Sequence, residues 1–168
     1  MSYKKIFEIL NQKNVKYLIV GGLAVNLYGV PRLTYDLDII VENNPKNYER
    51  LIEALKQLKF SPKLPVKLEE LTSKPKREEW VKKKNLIAFC VLNNDKPYEE
   101  LDIILSHNID FVEEYRRKAD FDIENVIFPV ISIDGLIKMK LYSKRKQDIQ
   151  DIKTLKKIKK IKKIKNEE

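Results

Sequence analysis

Among 168 residues there is one cysteine (Cys90), one histidine (His107) and one tryptophan (Trp80). A single thiol excludes an intramolecular disulfide framework and a multi-cysteine zinc centre, and a reducing cytoplasm is the expected compartment. Glycine is scarce at four residues, and Gly21-Gly22…Gly29 has neither the Gly-x-Gly-x-x-Gly spacing of a dinucleotide fold nor the Gly-Lys-Ser/Thr of a P-loop. No apolar run approaches the ~20 residues of a membrane span, so no membrane partner is expected. The start, Met-Ser-Tyr-Lys-Lys-Ile-Phe-Glu, is charged from residue 4 and does not read as a signal peptide. With 43% hydrophobic and 35% charged residues, the chain is not a disordered polyelectrolyte.

What is present in excess is lysine. The net charge is +9, but residues 152–168 hold eight lysines and two glutamates, a net +6, which leaves +3 for the other 151 residues. A basic chain suits an anionic partner such as nucleic acid or nucleotide phosphate. In the tail the isoleucines 158, 161 and 164 recur every three residues, continuing Ile149, Ile152 and Leu155. A helix turns about 100° per residue, so a three-step stripe drifts around it. The first part of the stripe is expected to dock and the last part to fray; the tail reads as a solvated end, with an electrostatic arm that holds RNA as the alternative.

The remaining pattern alternates helix and strand. Ile6, Phe7, Ile9 and Leu10 predict a helix over 3–13, and Tyr17–Val20 a short strand ending at Gly21-Gly22. Residues 23–28 read as helix and Asp36–Val41 as strand. Asn44-Pro45 opens a helix to about Leu58, with Tyr48, Leu51, Ile52 and Leu55 on one face. Residues 61–79 read as irregular, with a short helix near 67–73. Asn85–Leu92 and Tyr98–Leu105 form a hairpin about Asn93–Pro97. Ile109–Lys118 is helical and 120–131 extended. Ser132 caps a helix to about Lys144, and Lys146–Lys160 makes another. The fold class is α+β: a small mixed sheet flanked by helices, with a core over 1–131 and a C-terminal helical segment over 132–168.

Three features carry chemistry. Gly21-Gly22, between strand and helix, lets backbone approach a phosphate chain closely. The alternative is two glycines that simply make a tight turn. Asp36 and Asp38 project from the same side of a strand. Two such carboxylates repel unless a cation lies between them, and hard oxygen ligands suit Mg²⁺ or Mn²⁺. Asp102 opens the apolar strand Leu101–Leu105. If that strand lies beside Asp36–Val41, Asp102 completes a three-carboxylate site for two metals and helps deprotonate an attacking hydroxyl. Glu99 and Glu100 are neighbours less suited to a buried strand.

These residues resemble the nucleotidyltransferase superfamily that includes DNA polymerase beta, whose signature is a Gly-Gly or Gly-Ser after a strand, then Asp-x-Asp, then a later single acid. The segment from Gly21 to Asp38 resembles the branch containing the AbiEii-type toxins. Lys140-Leu-Tyr-Ser-Lys-Arg145 followed by Asp148 and Asp151 is similar to that branch's C-terminal motif. The resemblance implies that Lys140 contacts the nucleoside triphosphate, that Arg145 positions phosphate or the helix pair, and that Asp148 or Asp151 completes a charge network with them. It implies that Arg32 meets the triphosphate or the acceptor, and that Thr34 supports the metal acids by hydrogen bonding. Lys140, Lys144 and Asp148 fall on one helix face, with Asp151 following.

Cys90, between Phe89 and Val91, reads as a core thiol, His107 as a loop histidine and Trp80 as a partly buried anchor. The leading expectation is a Mg²⁺-dependent transfer of a nucleoside monophosphate from an NTP to a hydroxyl, with pyrophosphate released. By resemblance the acceptor is RNA or tRNA in a toxin–antitoxin or phage-defence setting, with a cognate antitoxin as partner. A protein acceptor is a further option. The alternative class is a catalytically idle protein of the same fold that binds RNA or protein.

Overall fold

The computed structural model describes residues 3–31, 33, 34, 36–143 and 145–166. Among them are seven strands and seven α-helices. In chain order these are α1 (Tyr3–Gln12), β1 (Tyr17–Ile19), α2 (Gly21–Leu27), β2 (Leu37–Val41), α3 (Pro45–Gln57) and β3 (Phe60–Pro62). A 3-10 turn (Leu68–Thr72), α4 (Lys74–Lys84), β4 (Ala88–Asn93), β5 (Glu100–Ile104) and α5 (Phe111–Arg116) follow. The chain continues through β6 (Ala119–Ile123), β7 (Val126–Val130), α6 (Ile133–Ser143) and α7 (Lys146–Asn166). The strands form one mixed sheet in the order β3-β4-β5-β2-β1-β7-β6. β2 runs parallel to β5 and β1 parallel to β7, while the other neighbours are antiparallel. The α+β class and mixed sheet expected from the sequence are present.

The helical spacings act as expected. α1 buries Ile6, Phe7, Ile9 and Leu10, and the Phe7 ring lies against Tyr17 at 5.8 Å and Phe128 at 4.4 Å between centroids. α3 starts at Asn44, whose side chain accepts from the Lys46 N–H, with Pro45 in the first turn where its missing donor costs nothing. Its buried Asn47 accepts from the Lys16 N–H and donates to the carbonyls of Lys16 and Glu42, tying α3 to the ends of β1 and β2. Along β4 and β5, buried and partly open residues alternate strictly. One face of this half of the sheet therefore packs on the core, and the other stays accessible.

Three expectations are corrected. Residues 61–79 are not mainly irregular: Phe60–Pro62 pairs with β4 as an edge strand, and Lys74–Lys84 is α4. Only Arg77 and Trp80 of α4 are buried, so it carries no apolar stripe to betray it. Pro75 sits in its first turn, and the Ser73 side chain accepts from the Lys76 N–H. Trp80 is the anchor, stacked on Phe89 at 5.4 Å. Residues 120–131 are a hairpin, turned at Glu124 and Asn125 with φ of 51° and 65°, a left-handed pair made without glycine. The last helix does not stop near Lys160 but continues to Asn166.

The C-terminal helices close the molecule. Ser132 caps α6 as expected, its hydroxyl accepting from the Gly135 N–H at 3.0 Å and donating to buried Glu114 at 2.6 Å. Leu136, Ile137 and Leu155 carry α6 and α7 into the common core. No described helix is long and apolar enough to cross a membrane.

Candidate active site

Strand register assembles the site. Parallel pairing sets Asp38 opposite Asp102, and antiparallel pairing sets Asp102 opposite Cys90. Residues paired across neighbouring strands project to the same face, about 4.8 Å apart. Asp38, Asp102 and Cys90 thus form one lateral row on the accessible face. Asp36 lies two residues before Asp38 and is exposed. The three acids feel one another: burial first, then Asp102 and Asp36, push the Asp38 carboxyl up to about 6. Opposing this are the Arg145 charge and a hydrogen bond from the Gly22 N–H. Burial also raises Asp102, against a hydrogen bond from Cys90, while Glu100 and Asp36 raise it further and Lys63 lowers it. One oxygen of Asp102, Oδ1, is buried and has no hydrogen-bond partner. A hard cation is the natural complement of that oxygen and its repelled neighbours, so the donor set fits Mg²⁺ or Mn²⁺.

Each glycine of the pair has its own reason. Gly21 has φ +64°, and a Cβ there would stand 1.9 Å from Oδ2 of Asp38. A Cβ on Gly22 would stand 2.5 Å from Oγ1 of Thr34. The backbone thus packs directly on the catalytic candidates, and the Val20 N–H donates to the Asp38 carbonyl at 3.0 Å. The pair lies within the first turn of α2 rather than before it. The Thr34 hydroxyl donates to the Asp36 carbonyl at 3.4 Å and so ties the loop that carries Asp36. Arg32 and Lys144 lie outside the described residues.

The C-terminal motif forms a buried ion cluster. Lys140 Nζ donates to Asp148 at 2.9 Å and to Asp151 at 2.7 Å, all three being buried. The Ser143 hydroxyl donates to the other Asp148 oxygen. Burial would raise the Asp148 carboxyl, but Ser143 and Lys140 outweigh it and hold it below the usual range. Arg145, between α6 and α7, is exposed, and its charge acts on Asp38.

Two residues differ from their sequence reading. Cys90 is half-buried on the accessible face, not in the core, because register puts it in the row with Asp102. Its thiol donates to Glu100 Oε1 at 2.6 Å, and burial with the Glu100 and Asp102 carboxylates pushes it well above the usual thiol range. Glu100, set aside in favour of Asp102, shares the cluster: ligand atoms of Cys90, Glu100 and Asp102 lie within 4.8 Å of one another. The alternation Glu100/Asp102 along β5 was the available signal. His107 is a loop residue whose Nδ1 accepts from the Ile109 N–H, and burial lowers its pKa. It lines a cavity of about 450 Å³ with Arg77 and Phe111 that includes none of the three aspartates.

Several solved structures share this architecture. The lincosamide antibiotic adenylyltransferase LnuA, lincomycin-bound, superposes with a TM-score of 0.57 at 17% identity, covering 94% of this chain and 98% of that one. ANT(2'')-Ia in complex with adenylyl-2''-tobramycin gives 0.55 at 13% identity over 94% and 90%. A putative nucleotidyltransferase from Thermotoga maritima gives 0.53 at 16% identity over 99% and 91%. No curated protein matches the chain at a significant level. A family model described as "Nucleotidyltransferase of unknown function (DUF6036)" matches residues 3–164, almost the whole chain, and the chain belongs to that nucleotidyltransferase family.

Proposed function

We propose that this protein transfers a nucleoside monophosphate from an NTP to a hydroxyl acceptor and releases pyrophosphate. The observation that carries this reading is the row formed by Asp38 and Asp102, with a buried, unpartnered oxygen on Asp102 and glycine backbone packed on Asp38. Asp36, Asp38 and Asp102 would hold Mg²⁺ or Mn²⁺, which when bound neutralises charge on the reacting phosphate. Asp102 accepts the proton of the attacking hydroxyl as the new oxygen–phosphorus bond forms and the bond to pyrophosphate breaks. Gly21 and Gly22 give the triphosphate close access to the acids, Arg32 meets the triphosphate or the acceptor, and Thr34 keeps the loop in place. Arg145 offsets negative charge next to Asp38. Lys140 contributes as a positioning residue: its burial and two carboxylate partners favour holding Arg145 in place over direct contact with the triphosphate.

For the acceptor we favour an RNA, including tRNA, on the strength of the net charge of +9 and the segment similar to the AbiEii-type branch. That similarity is also the support for a toxin role with a cognate antitoxin. A small-molecule hydroxyl is the second reading, favoured by neighbours whose own ligands are lincomycin and adenylyl-2''-tobramycin. The test is incubation with each α-³²P-labelled NTP, Mg²⁺ and total RNA, beside Asp36→Asn. Label on RNA that the variant does not produce is expected. Label only on small molecules or on protein would reassign the acceptor. No transfer to any of the three would leave the idle-fold alternative.

A further inference from the structure

The exposed face of α7 has an order that the isoleucine repeat conceals. At about 100° per residue, Asp148, Asp151, Ile152 and Leu155 fall on one side of the helix. That side meets α6: Lys140 holds Asp148 and Asp151 at one end, and Lys159 pairs with Asp134 at 2.5 Å at the other. The two helices therefore run antiparallel. On the opposite side, Lys146, Lys153, Lys157 and Lys160 recur at i, i+7, i+11 and i+14, within about 40° of a single line. All four are exposed, and Lys156 flanks them. Among the described residues none of these five lysines enters a salt bridge, and the acids of this stretch of α7, Asp148 and Asp151, are both buried against Lys140. The result is a straight, unneutralised line of four cations spanning about 21 Å at 1.5 Å per residue.

We propose that this lysine line is the track on which the phosphodiester backbone of an RNA acceptor lies, an inference that rests on the transfer reading above. Lysine is a point charge that neutralises phosphate without reading sequence, and a regular line of them suits a polyanion with regularly spaced charges. A membrane surface fits poorly, because Leu155 is buried and Ile152 half-buried, and the exposed Ile149 and Ile161 lie twelve residues apart and make no continuous apolar face. An acidic protein fits less well than RNA, because the line holds no aromatic or arginine anchor. The track begins one residue after Arg145, whose charge acts on Asp38, so its first lysine marks the end nearer the catalytic acids.

The test is the salt dependence of binding between the full chain and a fluorescein-labelled tRNA, followed by anisotropy. One variant carries Lys146→Gln, Lys153→Gln, Lys157→Gln and Lys160→Gln. A control removes the same charge elsewhere through Lys5→Gln, Lys46→Gln, Lys83→Gln and Lys84→Gln. Four lost phosphate contacts at 0.7–0.9 each should flatten the log K against log salt slope by about 3 and weaken binding at 0.1 M salt by roughly two to three orders of magnitude. The control should stay near the wild type. Equal behaviour of the two variants overturns the proposal, because net charge and not the line would then be what RNA feels. Competition by polyglutamate as strong as by RNA of equal charge also overturns it, in favour of an acidic protein partner. A Mg²⁺–NTP thermal shift on the wild-type chain reads the transfer site separately. Its absence would sink the transfer reading without touching the RNA track.

Discussion

Replacing Asp38 with asparagine should abolish transfer and make the protein more stable. The carboxyl is pushed from an ordinary 3.8 up to about 6 by burial and by Asp102 and Asp36. Two units at about 1.4 kcal/mol each set an upper bound of about 3 kcal/mol for the cost of keeping this group ionised in the fold. Asparagine removes the charge and keeps an oxygen that can accept the Gly22 N–H. For a chain of this size the gain corresponds to a Tm rise of roughly 5–10 °C. The sign follows from the raised pKa. Below about pH 3, Asp38 is protonated in both folded and unfolded chains and the variant gains nothing. Between about 4 and 6 the unfolded chain loses its proton first, so the wild type loses stability as pH rises. Above about 6 the difference is at its full size. Calorimetry in EDTA at pH 3 and pH 8 reads it, and adding Mg²⁺ or Mn²⁺ at pH 8 should raise the Tm of the wild type but not of the variant. A variant no more stable than the wild type at pH 8 in EDTA would refute the claim that these carboxylates are held together against their own repulsion.

Two further substitutions separate positioning from chemistry. Lys140→Met removes the buried cation that bridges Asp148 and Asp151 and should cost about 3–5 kcal/mol in denaturant unfolding. Adding Asp148→Asn and Asp151→Asn should restore most of that stability while leaving the KM for NTP raised, because Arg145 loses its support. Gly21→Ala places a Cβ against the Asp38 carboxylate at a backbone φ of +64°; it should lose transfer by more than about a hundredfold and abolish the metal-induced Tm rise.

Much of this protein is local and could be read directly. α1 and α3 follow from apolar residues at helical spacing, and Asn44-Pro45 from cap chemistry. Ser132 announces α6, whereas the strand expected from Asp36 begins one residue later, at Leu37, and leaves Asp36 in the preceding loop. α4 was hidden because charged residues occupy nearly every position and only Arg77 and Trp80 turn inward. The Glu124-Asn125 turn was hidden because its left-handed pair contains no glycine. Local preferences carry helix periodicity, caps and strand alternation, since these depend on neighbours within a few residues. The row of Asp38, Asp102 and Cys90 joins residues far apart in the chain, and so do the contact of Gly21 with Asp38 and the burial of Lys140 between two aspartates. Those arrangements depend on strand register and helix docking, and a shift of one residue in β5 would have turned Asp102 to the opposite face. Local pattern singles out the aspartates and the glycine pair, whereas the place of Cys90 and Glu100 beside Asp102 emerges only from register, which the packing of the whole sheet sets.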